Sequence, residues 1–140
     1  MTVVGTDRIR VRTDADTIHV TLDHPETRNA VSRTMYHELA FVLSQIARRT
    51  DLRFVVLSGA GRVFSSGGDL RELRDGLPDD YVTDYWQRMS GTILALRAMP
   101  QIVIAGVSGA AGGAGAAVAL ARHMVVVERA ARMRFTFTRI

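Results

Sequence analysis

The sequence predicts an α/β fold in which a sheet is covered on both faces, and three observations carry that expectation. An alternating pair of short segments opens the chain. Apolar runs too short to be helices recur at residues 54–57, 102–107 and 124–127. Stretches of helical period lie between them.

Residues 9–12 and 17–22 alternate apolar and polar side chains, and the Thr13-Asp14-Ala15-Asp16 break between them reads as a hairpin loop. His24-Pro25-Glu26 closes the second strand, because proline supplies no further ladder donor. Ser32 is placed to cap a helix whose Met35, Leu39, Val42, Leu43 and Ile46 recur at helical spacing, with Arg48 and Arg49 near its cation-favouring end. Residues 54–57 then read as a strand buried on both faces. After a loop over residues 59–69, residues 69–74 form one or two helical turns, interrupted by Gly76-Leu77-Pro78. Asp79 or Asp80 starts a helix whose Tyr85, Met89, Ile93 and Leu96 line one side as core, ending before Pro100. A strand at residues 102–107, a helix of small residues at 114–121, a third apolar run at 124–127 and an extended piece at 135–137 complete the order. No sequence repeat and no linker interrupts it.

Composition narrows the chemistry. The 140 residues suit one domain, and 47% apolar content supplies an ordinary core. All 18 basic residues are Arg, so neither a phosphate-loop lysine nor a Schiff-base lysine is available. There is no Cys, and the four His stand apart at 19, 24, 37 and 123, which argues against disulfides and metal sites. The amino end lacks the pattern of a secretory signal, which favours a cytoplasmic location. The net charge of +4 is compatible with a solvated surface, an anionic small ligand or nucleic acid; the arginines are scattered, and no aromatic-plus-Arg patch suggests base stacking. Residues 101–121 carry no charge and are long enough for a membrane span, but only six of them are Leu, Ile or Val, five are Gly, no aromatic belt flanks the segment, and no membrane partner is expected.

Two glycine clusters, Ser66-Gly67-Gly68-Asp69 and Gly112-Gly113-Ala114-Gly115, follow buried strands and open helices. Neither has the G-x-G-x-x-G spacing of a dinucleotide fingerprint. Both put free N–H groups at a helix start, where an anion or a developing oxyanion is attracted. Two readings follow: tight turns chosen for backbone conformation, or two turns aiming one N–H each at a single oxygen.

Asn29-Ala30-Val31-Ser32, the run from Val55 through Phe64-Ser65-Ser66-Gly67-Gly68-Asp69-Leu70, and Ile102-Val103-Ile104-Ala105-Gly106-Val107-Ser108-Gly109 with the glycines after it resemble the enoyl-CoA hydratase/isomerase (crotonase) family over nearly the whole chain. The resemblance implies the crotonase-like (ClpP/crotonase) fold of repeated ββα units in a spiral, with residues 1–140 forming its N-terminal, acyl-CoA-binding portion. It implies polarisation of a thioester carbonyl by the N–H groups of Gly68 and Ala114, each donor contributing about 3 kcal/mol. It assigns Arg28, Arg62, the backbone from Phe64 to Ser66, and Asp69 to the path of coenzyme A, which enters as part of the substrate, with no resident cofactor and no metal. For Arg28 and Arg62 a solvated surface role is the competing reading, and for Asp69 a helix cap. The two glutamates that hold water in hydratases correspond to Ala117 and Phe137, neither of which takes a proton, so the resemblance favours a double-bond isomerase of the phenylacetyl-CoA type over a hydratase. Family members are about twice as long and form trimers. A homo-oligomer is therefore implied, while a chain reaching only Ile140 is expected to turn over slowly alone, or to serve as an inactive CoA-ester-binding or assembly module.

Overall fold

The computed structural model describes residues 2–74 and 79–136; the expected Gly76-Leu77-Pro78 interruption and Phe137 lie outside them. Strands β1 (Ile9–Asp14) and β2 (Thr17–Leu22) pair antiparallel, with Ile9 opposite Leu22 and Asp14 opposite Thr17. The hairpin loop is thus the two residues Ala15 and Asp16, shorter than expected, because backbone pairing continues through polar Thr13 and Asp14. Helix α1 (Arg33–Ala47) starts where Ser32 Oγ accepts the Met35 N–H at 3.1 Å, and it buries Met35, Leu39, Val42, Leu43 and Ile46 as the spacing predicts, with Tyr36 beside them.

Strand β3 (Phe54–Gly59), helices α2 (Leu70–Arg74) and α3 (Asp79–Arg97), and strand β4 (Ile102–Val107) follow. Then come β5 (Ala110–Gly112), α4 (Gly113–Leu120), β6 (Met124–Val127) and β7 (Arg132–Arg134). The main sheet has the order β1-β2-β3-β4-β6, all pairs after the hairpin being parallel. Of the extended piece expected at residues 135–137, the described Phe135 and Thr136 lie outside any strand; the strand nearby is Arg132–Arg134, aligned with β5.

A unit repeats in this order that no sequence repeat announces. A long strand enters the main sheet, and a short extended piece then joins a second layer before the next helix. Ser65 after β3, β5 after β4 and β7 after β6 form that layer: Ser65 bridges Ala111, and β5 pairs β7, all parallel. The repeated ββα arrangement is therefore present in backbone pairing, which any side chains of suitable size can support.

Among the described residues the sheet is covered on one face, not two. Ile18, Val20, Leu22, Val55, Leu57, Val103, Ala105 and Val107 are buried on the helix side, whereas on the other face Ile102 is 44% exposed and Phe54, Val56 and Ile104 are only partly buried; β6 at the sheet edge is exposed on both faces. The strand order explains this. Right-handed crossovers that always step in one direction put their helices on one side of the sheet; coverage of both faces requires the order to reverse. The uncharged segment 101–121 divides into β4, β5 and α4, and no helix among the described residues is long and apolar enough to cross a membrane.

Glu38 on α1 secures the chain before β1. Its carboxylate accepts the Thr6 hydroxyl at 2.6 Å, the Arg8 N–H at 2.9 Å and the Arg8 guanidinium at 2.9 Å. Burial pushes its pKa up, but those hydrogen bonds together outweigh burial and hold it below the usual glutamate value. A depressed folded-state pKa gives stability present above the unfolded value and lost as pH falls through the folded one. Glu38→Gln is expected to cost about 1 kcal/mol near neutral pH, the charge-assisted bonds being partly solvated. In urea titrations at several pH values, that difference narrows in acid; a difference independent of pH would contradict the ionic role.

Candidate functional site

The two glycine turns meet. Phe64 N–H and Ser65 N–H both donate to Ala110 O, at 3.0 and 3.2 Å, and Gly112 N–H donates to Ser65 O at 3.0 Å. Gly67 lies so close to the second turn that a Cβ there would stand 2.9 Å from Gly112 O, and its φ of +110° is in the region that favours glycine. Gly113, with φ +43°, makes the corresponding reversal at the start of α4. Both turns open onto one cleft of about 850 Å³, whose lining includes Arg28, Ser66, Gly68, Asp69, Tyr85 and Ala114.

Backbone hydrogen bonding separates the available donors from the occupied ones. Ser66 N–H is taken by Arg28 O at 2.9 Å, and Gly67 N–H by Ser65 Oγ at 3.3 Å. Gly68 N–H and Ala114 N–H find no acceptor among the described residues. For Ala114 the cause is its place in the first turn of α4, whose N-cap, Gly112, has no side chain to offer. For Gly68 the direction is set by its own peptide plane: Gly67 O accepts Val31 N–H at 2.7 Å, and in a trans peptide the N–H on the other side points away from that bond. Val31 is pinned in turn by Tyr85, whose hydroxyl donates to Val31 O at 3.2 Å.

Two residues that the sequence marks only as parts of a motif build this frame. Asn29 is fully buried; its Nδ2 donates to Ala60 O at 2.9 Å, Val63 O at 3.1 Å and Phe64 O at 3.3 Å, and its Oδ1 accepts His24 N–H at 2.9 Å. Ser65, also fully buried, donates its hydroxyl to Asn29 O at 2.7 Å. Asn29 and Arg28 both adopt left-handed backbone, with φ of 53° and 55°, and asparagine tolerates that conformation better than most residues.

The remaining expected residues divide. Arg28 is exposed on the cleft, and its guanidinium has no ion-pair partner among the described residues. Ser66 lines the cleft and donates its hydroxyl to Thr27 O at 3.2 Å. Asp69 lines it too, but its carboxylate accepts the Arg71 backbone N–H at 3.0 Å and the Arg71 guanidinium at 2.8 Å. The Arg71 hydrogen bond holds the Asp69 pKa below the usual value, so this group is a poor proton acceptor. Arg62 and Phe64 are not brought to the cleft: Arg62 is exposed in the turn after β3, and the Phe64 side chain is fully buried, its N–H used by Ala110. Ala117 lies in α4 away from the lining.

Helix α3 supplies what periodicity mistook for core alone. Tyr85 and Met89 line the cleft, together with Val82 and Trp86. Glu72 braces the adjoining helices, accepting Arg33 N–H at 3.1 Å and the Tyr81 hydroxyl, while the Arg33 guanidinium lies 4.6 Å from the centre of the Tyr81 ring. Among the described residues no group of three or more His, Cys, Asp or Glu could hold a metal ion.

The model of the enoyl-CoA hydratase/isomerase family matches residues 12–140. The "Probable enoyl-CoA hydratase" of Rhodobacter capsulatus is 39% identical over 122 residues, covering 86% of this chain and 46% of that protein. The mitochondrial Delta(3,5)-Delta(2,4)-dienoyl-CoA isomerase of Rattus norvegicus is 35% identical over 108 residues, covering 70% of this chain and 33% of that protein. The crystal structure of an enoyl-CoA hydratase from Bacillus anthracis superposes with a TM-score of 0.86 at 29% identity, over 91% of this chain and 50% of that one. The chain thus spans half or less of the length of these relatives.

The Asn29 frame yields a direct expectation. Asn29→Ala strands three carbonyls and one N–H in a buried site, at a cost of about 3 kcal/mol. The urea midpoint should fall accordingly; an unchanged midpoint would show that the loops hold together without it.

Proposed function

The chain belongs to the enoyl-CoA hydratase/isomerase family, and from that premise we propose that its cleft binds an acyl-CoA thioester and stabilises the enolate formed from it. The carrying observation is that Gly68 and Ala114, whose N–H groups have no acceptor among the described residues, line the same cleft. A thioester oxygen between them gains little from two donors while neutral and far more as negative charge develops, which is the condition for lowering a barrier. Arg28, Ser66 and Asp69 are the cleft residues proposed to flank the coenzyme A portion.

Double-bond migration is proposed in preference to hydration, because Ala117 stands where the resemblance puts one of the two water-holding glutamates of hydratases. In the step proposed, a base that the described residues do not supply takes a proton from C2 of a 3-enoyl thioester, the electron pair spreads into a dienolate with its charge on the thioester oxygen, and the same group, now protonated, returns the proton at C4. The double bond then lies between C2 and C3. Hydration needs a group that holds and deprotonates water, and Ala117 offers none. Neither cleft carboxylate is assigned the proton: Asp69 is held by Arg71, and Glu26 stands 3.2 Å from His24. Because no base is assigned among the described cleft residues, a second reading is kept, in which the chain binds CoA esters without turning them over.

Spectrophotometric assays with 3-enoyl-CoA and crotonyl-CoA, beside calorimetric titration with acetyl-CoA, distinguish the readings. Isomerisation without hydration is the expected outcome. Binding alone supports the second reading. Brisk hydration of crotonyl-CoA contradicts the isomerase assignment, and absence of binding contradicts both.

A further inference from the structure

Helix α3 presents two surfaces. Tyr81, Tyr85 and Leu96 are buried in the core, and Tyr85 also borders the cleft, where with Val82, Trp86 and Met89, at spacings of three and four, it forms one stripe. Leu70 of α2 extends the same wall. Val82 is 44%, Trp86 49% and Leu70 65% exposed. A single exposed aliphatic side chain needs no explanation, but several large ones lining one concave wall mark a surface that an apolar ligand would cover.

The wall is both apolar and held in place. Trp86 packs edge-on to Tyr85, with ring centres 6.1 Å apart and planes at 85°, and Tyr85 packs edge-on to buried Tyr36 at 5.5 Å. The polar group of the stripe, the Tyr85 hydroxyl, is engaged by Val31 O, and burial raises its pKa, so it stays neutral. The charged lining residues, Glu26, Arg28, Asp69 and Arg71, come from other segments. Nothing on the α3 stripe would compensate a hydroxyl or carboxylate on the ligand.

We infer that this stripe is the acyl wall of the thioester site and selects a large, wholly apolar acyl group over a short one, with Trp86 as the specificity residue. The inference rests on the thioester reading of the cleft. Burial of one methylene strengthens binding about fourfold. An octanoyl group has six methylenes more than an acetyl group, and covering half of them predicts a preference on the order of 50-fold.

Trp86 is the sole tryptophan of the chain, so its emission reports on this wall directly. Coenzyme A, acetyl-CoA and octanoyl-CoA are titrated in turn, followed by calorimetry and tryptophan fluorescence. Octanoyl-CoA should bind on the order of 50-fold more tightly than acetyl-CoA and shift the emission to the blue, whereas coenzyme A should not shift it. Trp86→Ala should collapse the octanoyl-to-acetyl ratio several-fold, and Trp86→Phe should restore most of it, with circular dichroism verifying that both variants are folded. Equal affinities for the two esters, or an emission indifferent to octanoyl-CoA, would overturn the acyl wall while leaving the thioester reading intact. If neither ester nor coenzyme A binds, the thioester reading fails and the acyl wall with it.

Discussion

Ser65 is hydrogen-bonded through its backbone on both sides of Ala111, its N–H to Ala110 O and its carbonyl to Gly112 N–H, and the rest of the site depends on that short bridge. It brings together two strand-to-helix turns that are separated by α2, α3 and β4 in sequence. The Ser65 hydroxyl extends the constraint, donating to Asn29 O and accepting Gly67 N–H. Through Asn29 the loop before α1 is tied to the turn after β3. Three segments thus share one buried polar network in which each participating group described is satisfied, the condition under which such networks add rigidity instead of cost.

In the function proposed for the cleft, that rigidity would give two ordinary amides a chemical use. A backbone N–H has no rotamer; its direction follows from the peptide plane, and the plane is fixed by whatever holds the carbonyl on its other side. Val31 holds the Gly67 carbonyl, and the helical start of α4 orients the Gly113–Ala114 peptide. Donors fixed in this way need no reorganisation when charge develops nearby. Side-chain identity at position 114 matters correspondingly little to the proposed donor, which is a backbone group.

Much of this was legible in the sequence, though unevenly. The α1 helix was clear because Ser32 and the Met35-to-Ile46 stripe state a start and a face. The stripe on α3 was misleading in part. Periodicity reveals which side chains avoid water, not whether protein or ligand will cover them, so Tyr85 and Met89 read as core although they also line the cleft. Ser65 and Ser66 are adjacent and chemically identical, yet one is buried at the bridge and the other exposed; composition could not choose between them. The Phe64 backbone was expected on the ligand path, but its N–H is taken by Ala110 O, and the phenyl ring beside that bridge fills the core. The open face of the sheet was beyond pattern reading, because it follows from strand order. The repeated unit was hidden for a related reason: it consists of backbone pairings carried by Ser65, Ala110–Gly112 and Arg132–Arg134, which share no sequence.

The central claim is that two backbone N–H groups, from Gly68 and Ala114, act on one thioester oxygen. Isotope-edited infrared difference spectroscopy of an acyl-CoA labelled at its carbonyl carbon measures that interaction without requiring turnover. The account predicts that the carbonyl stretch of the bound ester moves to lower frequency than in water, because two fixed donors outside bulk solvent polarise the bond more strongly than exchanging water does. A bound ester whose carbonyl frequency stays at its aqueous value would contradict it.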